Sequence, residues 1–285
     1  MNTAGARNVT SSEKTRTGAS GPPTQQMRHV IVVEHLTHRF GSPAEPVLAV
    51  EDLSFKVPEG QFLAIVGPSG CGKTTILNIV VGLITPTEGR VLVNGEEVKQ
   101  PSRSVGYMTA RDGLLPWRSA RENVAFGLEV RGVKTSIRRE KADALLRLVH
   151  LEGFEQAYRS QLSQGMRQRV ALARTLAIDP LIFLLDEPFA ALDAQTKMIL
   201  QDEFIRIWER SGQTVMFVTH DIAEAVALSD RVIIISRRPG KIKCDIEVDL
   251  PRPRDLEEIR FSQHFTDLAR FVWTQIRGEI SKDGI

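Results

Sequence analysis

A run of glycines and hydroxyl residues around one lysine carries the clearest chemical pattern in this 285-residue chain. It fits the spacing G-x-x-x-x-G-K-[ST], which is typical of a loop that holds phosphate groups. The apolar residues 62–66 before it predict a buried strand, and residues 76–81 after it predict a helix, which is the context that the motif needs. The predicted phosphate-binding residues are Gly67, Pro68, Ser69, Gly70, Cys71, Gly72, Lys73, Thr74 and Thr75.

The residue types of this loop suit a nucleoside triphosphate. Glycines let successive backbone N–H groups face phosphate oxygens, and the N-terminus of the following helix adds partial positive charge. Lys73 supplies a cation for the outer phosphates, and the Thr74 hydroxyl is a ligand for a Mg²⁺ ion that also bridges phosphate oxygens. The loop therefore predicts a Mg²⁺–nucleotide site, with a glycine-rich turn that binds nothing as the plainer alternative.

Two acids follow the apolar residues 181–185, which predict a strand buried on both faces. Parallel sheets bind ligands at the carboxyl ends of their strands. We therefore expect Asp186 to hold Mg²⁺ through water and Glu187 to orient or deprotonate the water that attacks the terminal phosphate. His220 ends the next predicted strand at the same edge, where we expect it to contact that phosphate. A solvated acidic turn and an unremarkable histidine are the plainer alternatives.

Composition limits the classes of function. The hydrophobic fraction of 42% is enough for a sizeable core, and the net charge of +2 argues against a nucleic-acid partner. No run of eighteen apolar residues predicts a membrane span. Two cysteines, Cys71 and Cys244, are too few for a disulfide framework. Cys71 inside the loop favours a reducing compartment, where we interpret it as a small space-filling residue rather than a catalytic thiol.

The order of predicted elements gives a domain plan. Residues 1–28 contain no block of apolar residues and predict a disordered tail. Strands are predicted at 30–33, 47–57 and 104–108, with a hairpin turn at Asn94-Gly95. Helices then follow at 118–130, at 137–150 and from Ser163 to about 177, before strands resume at 214–219 and 231–235 with helices between them. This alternation predicts a parallel sheet, with 242–248 pairing antiparallel and a C-terminal helix that starts at Asp255.

The motifs together resemble the ABC transporter ATPase family over about residues 30–240. Residues 67–75 resemble Walker A, 181–187 Walker B, 162–169 the signature sequence and 191–193 the D-loop, while His220 resembles the switch histidine. The fold that this resemblance implies is α/β: a P-loop NTPase core with a mostly parallel sheet, an N-terminal antiparallel β part and an inserted helical subdomain. The implied domains are an ATPase domain at 29–254, with the helical subdomain at about 110–178, and a C-terminal helical extension at 255–285.

The resemblance also implies how ATP is held. Phe40 falls where the family places an aromatic ring against adenine. Two copies of the chain would form a head-to-tail dimer, in which each ATP lies between one copy's phosphate loop and the other copy's signature. Ser163 is a predicted helix N-cap, so the helix start and the Gly165 amide would present donors to the terminal phosphate. Asp193 of the D-loop is the remaining predicted nucleotide residue.

Finer features resemble the ATPase subunits of nitrate, sulfonate and taurine importers. They lie at residues 113–118, 122–124, 238–240 and 250–254. This branch implies two transmembrane permease subunits, an extracytoplasmic substrate-binding protein that acts indirectly, and a peripheral position on the cytoplasmic face of the cell (inner) membrane. Residues 114–117 would receive the coupling helix of the permease, unless they form a buried corner of the core. The substrate is not encoded in this chain.

Two positions depart from the family pattern. Ala110 occupies the place of the Q-loop glutamine, so one Mg²⁺ ligand is missing unless water, Thr109 or Asp112 replaces it. Gln164 stands where the signature usually has glycine, at little cost in a right-handed helix but with strain at positive φ. Glu187, His220, Lys73 and Ser163 are present, so we predict an ATP-hydrolysing importer subunit. The alternatives are a soluble ABC ATPase acting on nucleic acid or ribosomes, and a hydrolysis-impaired module that uses ATP only to dimerise.

Overall fold

The computed structural model describes residues 28–42 and 44–280, with the side chain of residue 280 excepted. The predicted tail therefore falls outside the described residues, apart from residue 28. In chain order the strands are β1 (His29–Phe40), β2 (Val47–Pro58), β3 (Phe62–Val66), β4 (Glu88–Val93), β5 (Glu96–Glu97), β6 (Val105–Met108), β7 (Ile182–Asp186), β8 (Thr214–Val218), β9 (Arg231–Ile235) and β10 (Ile242–Glu247). The helices are α1 (Lys73–Val80), α2 (Ala120–Val130), α3 (Thr135–Leu148), α4 (Gln164–Ala177), α5 (Ala194–Ser211), α6 (Ile222–Leu228), α7 (Leu256–Ile259) and α8 (Gln263–Ile280).

The first sheet is antiparallel, in the order β2-β1-β4-β5. Its β4–β5 hairpin turns at Asn94 and Gly95, which have φ of 54° and 83°. Two successive positive φ values match the right-handed twist of a hairpin, which is why Asn-Gly predicts such turns. The predicted turn is therefore confirmed.

The second sheet has the order β10-β9-β3-β8-β7-β6 and is parallel except for β10. Every residue of β3, β7 and β8 is buried, as expected for central strands with helices on both faces. Side chains of β3 alternate between two cores: Phe62, Ala64 and Val66 pack on one face of the sheet, and Leu63 and Ile65 on the other. The predicted α/β fold, with its antiparallel β part, is confirmed, and so is the antiparallel pairing of residues 242–248.

A block of helices, α2 to α4, lies between β6 and β7 in the chain. Ser119 starts α2 with a reciprocal cap, because its hydroxyl accepts the Glu122 N–H while the Glu122 carboxylate accepts the Ser119 N–H. The loop before α2 was predicted to be either a contact site for a permease or a buried corner of the core. It has features of both, because Leu114 is buried whereas Trp117 is 70% exposed. Within residues 114–117, the exposed part that can contact another molecule is Pro116 and Trp117.

The C-terminal segment forms two helices instead of the single helix predicted from Asp255. Asp255 caps α7 through the N–H groups of Glu257 and Glu258. The Ser262 hydroxyl then accepts the Phe265 N–H at 3.2 Å, so an N-cap residue restarts the helix as α8. The predicted apolar stripe packs on the core through Phe265, Val272 and Ile276.

The basic residues that precede this segment fix it to the core. The Arg254 side chain is fully buried and donates to the carbonyls of Ala227 and Ser229 at 2.9 and 2.8 Å. These carbonyls belong to the end of α6, where helix carbonyls lack partners within the helix. No helix among the described residues is long and apolar enough to cross a membrane.

Candidate functional site

The phosphate loop joins β3 to α1, and its path leaves no room for side chains at two glycines. Gly72 has φ of 102°, and a Cβ there would overlap the side chain of Val50. A Cβ on Gly67 would lie 2.5 Å from the Ile235 carbonyl oxygen. Backbone N–H groups that must face phosphate need this absence of bulk. The glycines that the motif requires are therefore also required by the packing of the loop.

Lys73 is held against this loop. Its side chain is largely buried, and Nζ donates to the carbonyls of Gly67 and Pro68 at 2.8 and 2.9 Å. These bonds keep the ammonium charge at the loop. Cys71 is 1% exposed beside it, and burial raises the pKa of its thiol. A buried thiol with a raised pKa is a poor nucleophile, which agrees with the predicted space-filling role.

Thr74 and Asp186 form the part of the site that suits a divalent cation. Thr74 Oγ1 donates to Asp186 Oδ2 at 2.8 Å. Burial raises the pKa of the Asp186 carboxyl, and the charge of Glu187 adds to this, while the Thr74 bond and the charge of Lys73 oppose it. Among the described residues, no group of three His, Cys, Asp or Glu side chains could hold a metal ion by itself. Mg²⁺ at nucleotide sites needs only one or two protein oxygens besides phosphate, so this pair fits Mg²⁺.

Glu187 and His220 meet at the next strand end. Glu187 Oε1 lies 3.2 Å from His220 Nδ1. Glu187 has φ of 49°, and two bonds hold it there: its N–H donates to the Val218 carbonyl at 2.9 Å, and its carbonyl accepts Gln168 Nε2 at 3.2 Å. Positive φ is strained for a glutamate, and such strain concentrates at functional sites. Gln168 lies in the signature segment, but its contact joins segments distant in sequence, so nothing in the sequence marked it.

A cavity of about 300 Å³ brings together half of the predicted site residues. Phe40 is partly exposed and lines this cavity. Its ring contacts His38 edge-on, with 4.5 Å between the centroids. Two residues of the cavity lining, Ala49 and Arg238, are not among the predicted site residues, although Arg238 lies in a segment that resembles the importer ATPases. The full lining is Phe40, Ala49, Ser69, Gly70, Gly72, Lys73, Thr74, Thr75, Glu187 and Arg238.

The predicted signature residues lie outside this lining. The Ser163 hydroxyl caps α4 by accepting the Met166 N–H at 3.2 Å. Gln164 is the first residue of α4 and is not among the described residues with positive φ, so this departure from the family pattern carries no backbone strain. A Cβ on Gly165 would be 3.2 Å from the Ala191 carbonyl oxygen, and Asp193 caps α5 through the Thr196 N–H. These residues form a second group beside the D-loop.

The Q-loop position, Ala110, is exposed. Neither Thr109 nor Asp112 replaces the missing glutamine there. Ala110 follows β6. Thr109 Oγ1 donates to the Arg111 carbonyl at 2.7 Å. The Asp112 carboxylate pairs with Arg159 at 3.0 Å and with Arg167 at 3.2 Å. Both candidate replacements for the missing glutamine are therefore engaged away from Asp186.

Comparisons with known proteins agree with this geometry. The model of the ABC transporter family matches residues 50–190. An uncharacterized ABC transporter ATP-binding protein of Methanocaldococcus jannaschii is 51% identical over 239 residues, which cover 84% of this chain and 90% of that protein. The aliphatic sulfonates import ATP-binding protein SsuB of Bacillus cereus is 39% identical over 256 residues, covering 90% of this chain and 99% of SsuB.

Solved structures show the same architecture. A dimeric ATP-binding cassette in a post-hydrolysis state, bound to ADP and phosphate, matches with a TM-score of 0.72 and 31% identity, covering 78% of this chain and all of the other. The phosphate loop, the Thr74–Asp186 pair and the Glu187–His220 pair occupy one edge of a sheet that such cassettes share. Sequence, fold and site together show that the chain belongs to the ABC transporter family as one of its ATP-binding, ATP-hydrolysing proteins.

Proposed function

We propose that this protein is the ATP-hydrolysing subunit of an ABC importer for a small anion, such as a sulfonate, nitrate or taurine. The observation that carries the catalytic part is the Glu187–His220 pair at 3.2 Å, placed beside the Thr74–Asp186 pair in the same site. A carboxylate in this position can take a proton from an attacking water, and a neighbouring imidazole can hold it in place.

Each group of the site has a defined task in this proposal. The loop amides and Lys73 bind the phosphates, and Phe40 offers a ring face to the base. Thr74 and Asp186 would hold Mg²⁺, which supplies charge neutralisation at the phosphate oxygens. Glu187 orients and deprotonates the attacking water. His220 keeps the Glu187 carboxylate on the side of the terminal phosphate.

The separate position of the signature residues favours a site shared by two copies. Ser163, Gly165 and Asp193 lie outside the cavity lined by the phosphate loop. In a head-to-tail dimer, the α4 N-terminus of one copy would complete the cavity of the other. The similarity to a dimeric cassette supports this arrangement. ATP would then close the dimer and hydrolysis would reopen it.

Permease subunits are the proposed partners of the helical block. Trp117 is 70% exposed on the loop before α2, and tryptophan is enriched among the residues that dominate binding energy at protein interfaces. Two permease subunits would hold the dimer at the cytoplasmic face of the cell membrane, with a substrate-binding protein acting on the other side. The likeness to SsuB favours a sulfonate among the small anions.

The test uses the full chain assembled with its permease. We expect Glu187→Gln to lower ATP turnover by about 10²–10⁴-fold, because the amide cannot accept a proton, while ATP binding is retained. Glu257→Gln, at an exposed position of α7, is the matched control, and we expect it to keep wild-type turnover. Permease-stimulated ATPase activity that survives Glu187→Gln would contradict the proposal, and stimulation by nucleic acid instead of permease would contradict the importer role.

A further inference from the structure

The residues on both sides of His220 are tied to one buried carboxylate on the following helix. Glu224 is 3% exposed, and its Oε2 accepts the Thr219 hydroxyl at 2.6 Å. The same hydroxyl accepts the Asp221 N–H at 3.0 Å. Asp221 in turn caps α6 through the N–H groups of Ala223 and Glu224. The backbone that carries His220 is therefore fixed from both sides, although the histidine ring itself is exposed.

Helix α5 supplies the other partners of this carboxylate. Lys197 Nζ lies 2.6 Å from Glu224 Oε1 and 3.0 Å from Asp221 Oδ2. Gln201, one turn later and fully buried, donates Nε2 to Glu224 Oε1 at 3.1 Å. A buried carboxylate is tolerated when its oxygens are paired in this way. Because Asp193 of the D-loop is the N-cap of α5, these bonds join the helix after the D-loop to the histidine segment.

The network reaches the C-terminal extension. Arg260, immediately after α7, donates Nη2 to Gln201 Oε1 at 2.6 Å. The chain of contacts therefore runs from Thr219 through Glu224 and Gln201 to Arg260. Removal of any link leaves a buried polar group without its partner, and such groups rearrange to recover one.

We propose that Glu224 and Thr219 are positioning residues for hydrolysis, and that Arg260 lets the C-terminal extension set their geometry. This inference rests on the proposed role of His220. The network keeps His220 at hydrogen-bonding distance from Glu187 without touching the nucleotide. Loosening it displaces the imidazole, which lowers kcat, whereas the groups that bind ATP stay in place and leave KM unchanged.

Thr219→Val tests the network with little change in side-chain volume. We expect kcat to fall about 10- to 100-fold, the range for small misplacements in an active site, with KM for ATP within about twofold of wild type. Thr214→Val is the matched control, since Thr214 is the first residue of β8 and Thr219 follows its last. Thr214 is also 2% exposed, and its hydroxyl accepts the Gly60 N–H. The control should retain wild-type kcat.

A double-mutant cycle separates positioning from general destabilisation. In a His220→Ala background, Thr219→Val should cause no further loss of kcat, because the residue that it positions is gone. Arg260→Ala should lower kcat by a smaller factor, about 2- to 10-fold, whereas Arg270→Ala on the exposed face of α8 should not. Thermal melting of each variant checks folding, and Arg260→Ala carries the test if Thr219→Val does not fold.

Three results would overturn the inference. One is wild-type kcat in both Thr219→Val and Arg260→Ala while His220→Ala is impaired. Another is equal loss in Thr219→Val and Thr214→Val, and the third is a further loss from Thr219→Val in the His220→Ala background. Wild-type turnover in His220→Ala itself would instead refute the proposed catalytic role of His220, and the inference with it.

Discussion

Gly240 lies where the turn between β9 and β10 packs against the phosphate loop. Its N–H donates to the Ala49 carbonyl at 2.9 Å, and its carbonyl accepts the Glu51 N–H at 3.0 Å. A Cβ there would lie 2.9 Å from Ile235 Cγ2 and closer still to the Cys71 carbonyl oxygen. Because Cys71 belongs to the phosphate loop, Gly240→Ala should displace that loop from its binding geometry.

The size of the effect follows from these contacts. A Cβ on Gly240 would lie closer than 2.9 Å to the Cys71 carbonyl oxygen, whereas non-bonded heavy atoms pack at about 3.5 Å. The turn and the loop must therefore separate by more than about 0.5 Å. Forcing a methyl group into a packed site costs about 1–3 kcal/mol. If ATP must restore the original loop geometry, the same free energy is subtracted from binding, which raises the Kd for ATP by about 5- to 150-fold.

Gly153→Ala provides a control of similar stability cost. Gly153 has φ of 86°, and a Cβ there would meet no atom within 4 Å, so alanine pays only the left-handed backbone penalty of about 1–2 kcal/mol. Calorimetric titration with ATP and thermal melting should show both variants destabilised, but only Gly240→Ala weakened in binding. Equal Kd values for wild type and Gly240→Ala, with both glycine variants melting alike, would refute the link between turn and loop.

The remaining predictions concern two charges of the site. Asp186→Asn should raise the melting temperature of the nucleotide-free protein by about 2–4 °C for each kcal/mol recovered. The pKa of the Asp186 carboxyl is raised in the folded protein, so its ionisation above that pKa lowers the stability of the fold. The amide removes this charge and keeps an oxygen that accepts the Thr74 hydroxyl. The same variant should lose Mg²⁺-dependent hydrolysis; a melting temperature below wild type contradicts this reasoning. Arg238→Ala should weaken binding of ATP and ADP several-fold, since a cavity-lining cation near phosphates contributes about 1 kcal/mol. Lys241→Ala on the same turn is the control and should leave both affinities unchanged. Equilibrium dialysis that shows wild-type affinity in Arg238→Ala would contradict this prediction.

Local patterns allowed the fold to be predicted closely. The apolar runs of β3, β7 and β8 and the Asn94-Gly95 turn are determined by neighbours in sequence, so their spacing predicted them. The prediction for the C-terminal segment was wrong in one respect, because it gave one helix where the structure has two. Ser262 could have indicated the restart, because serine is a common N-cap, but the apolar stripe continues through it and conceals the break.

The candidate site could be predicted from local sequence motifs: a phosphate loop around Lys73, paired acids at Asp186 and Glu187, and a histidine at the next strand end. Its motifs carry their meaning in fixed local spacing. Contacts between distant residues depend on the tertiary fold, namely Arg238 in the cavity beside the phosphate loop, Gly240 against Cys71, and Glu224 between Thr219 and Gln201. These contacts join residues far apart in the chain, and their partners are set by how helices and strands pack, which no local spacing records.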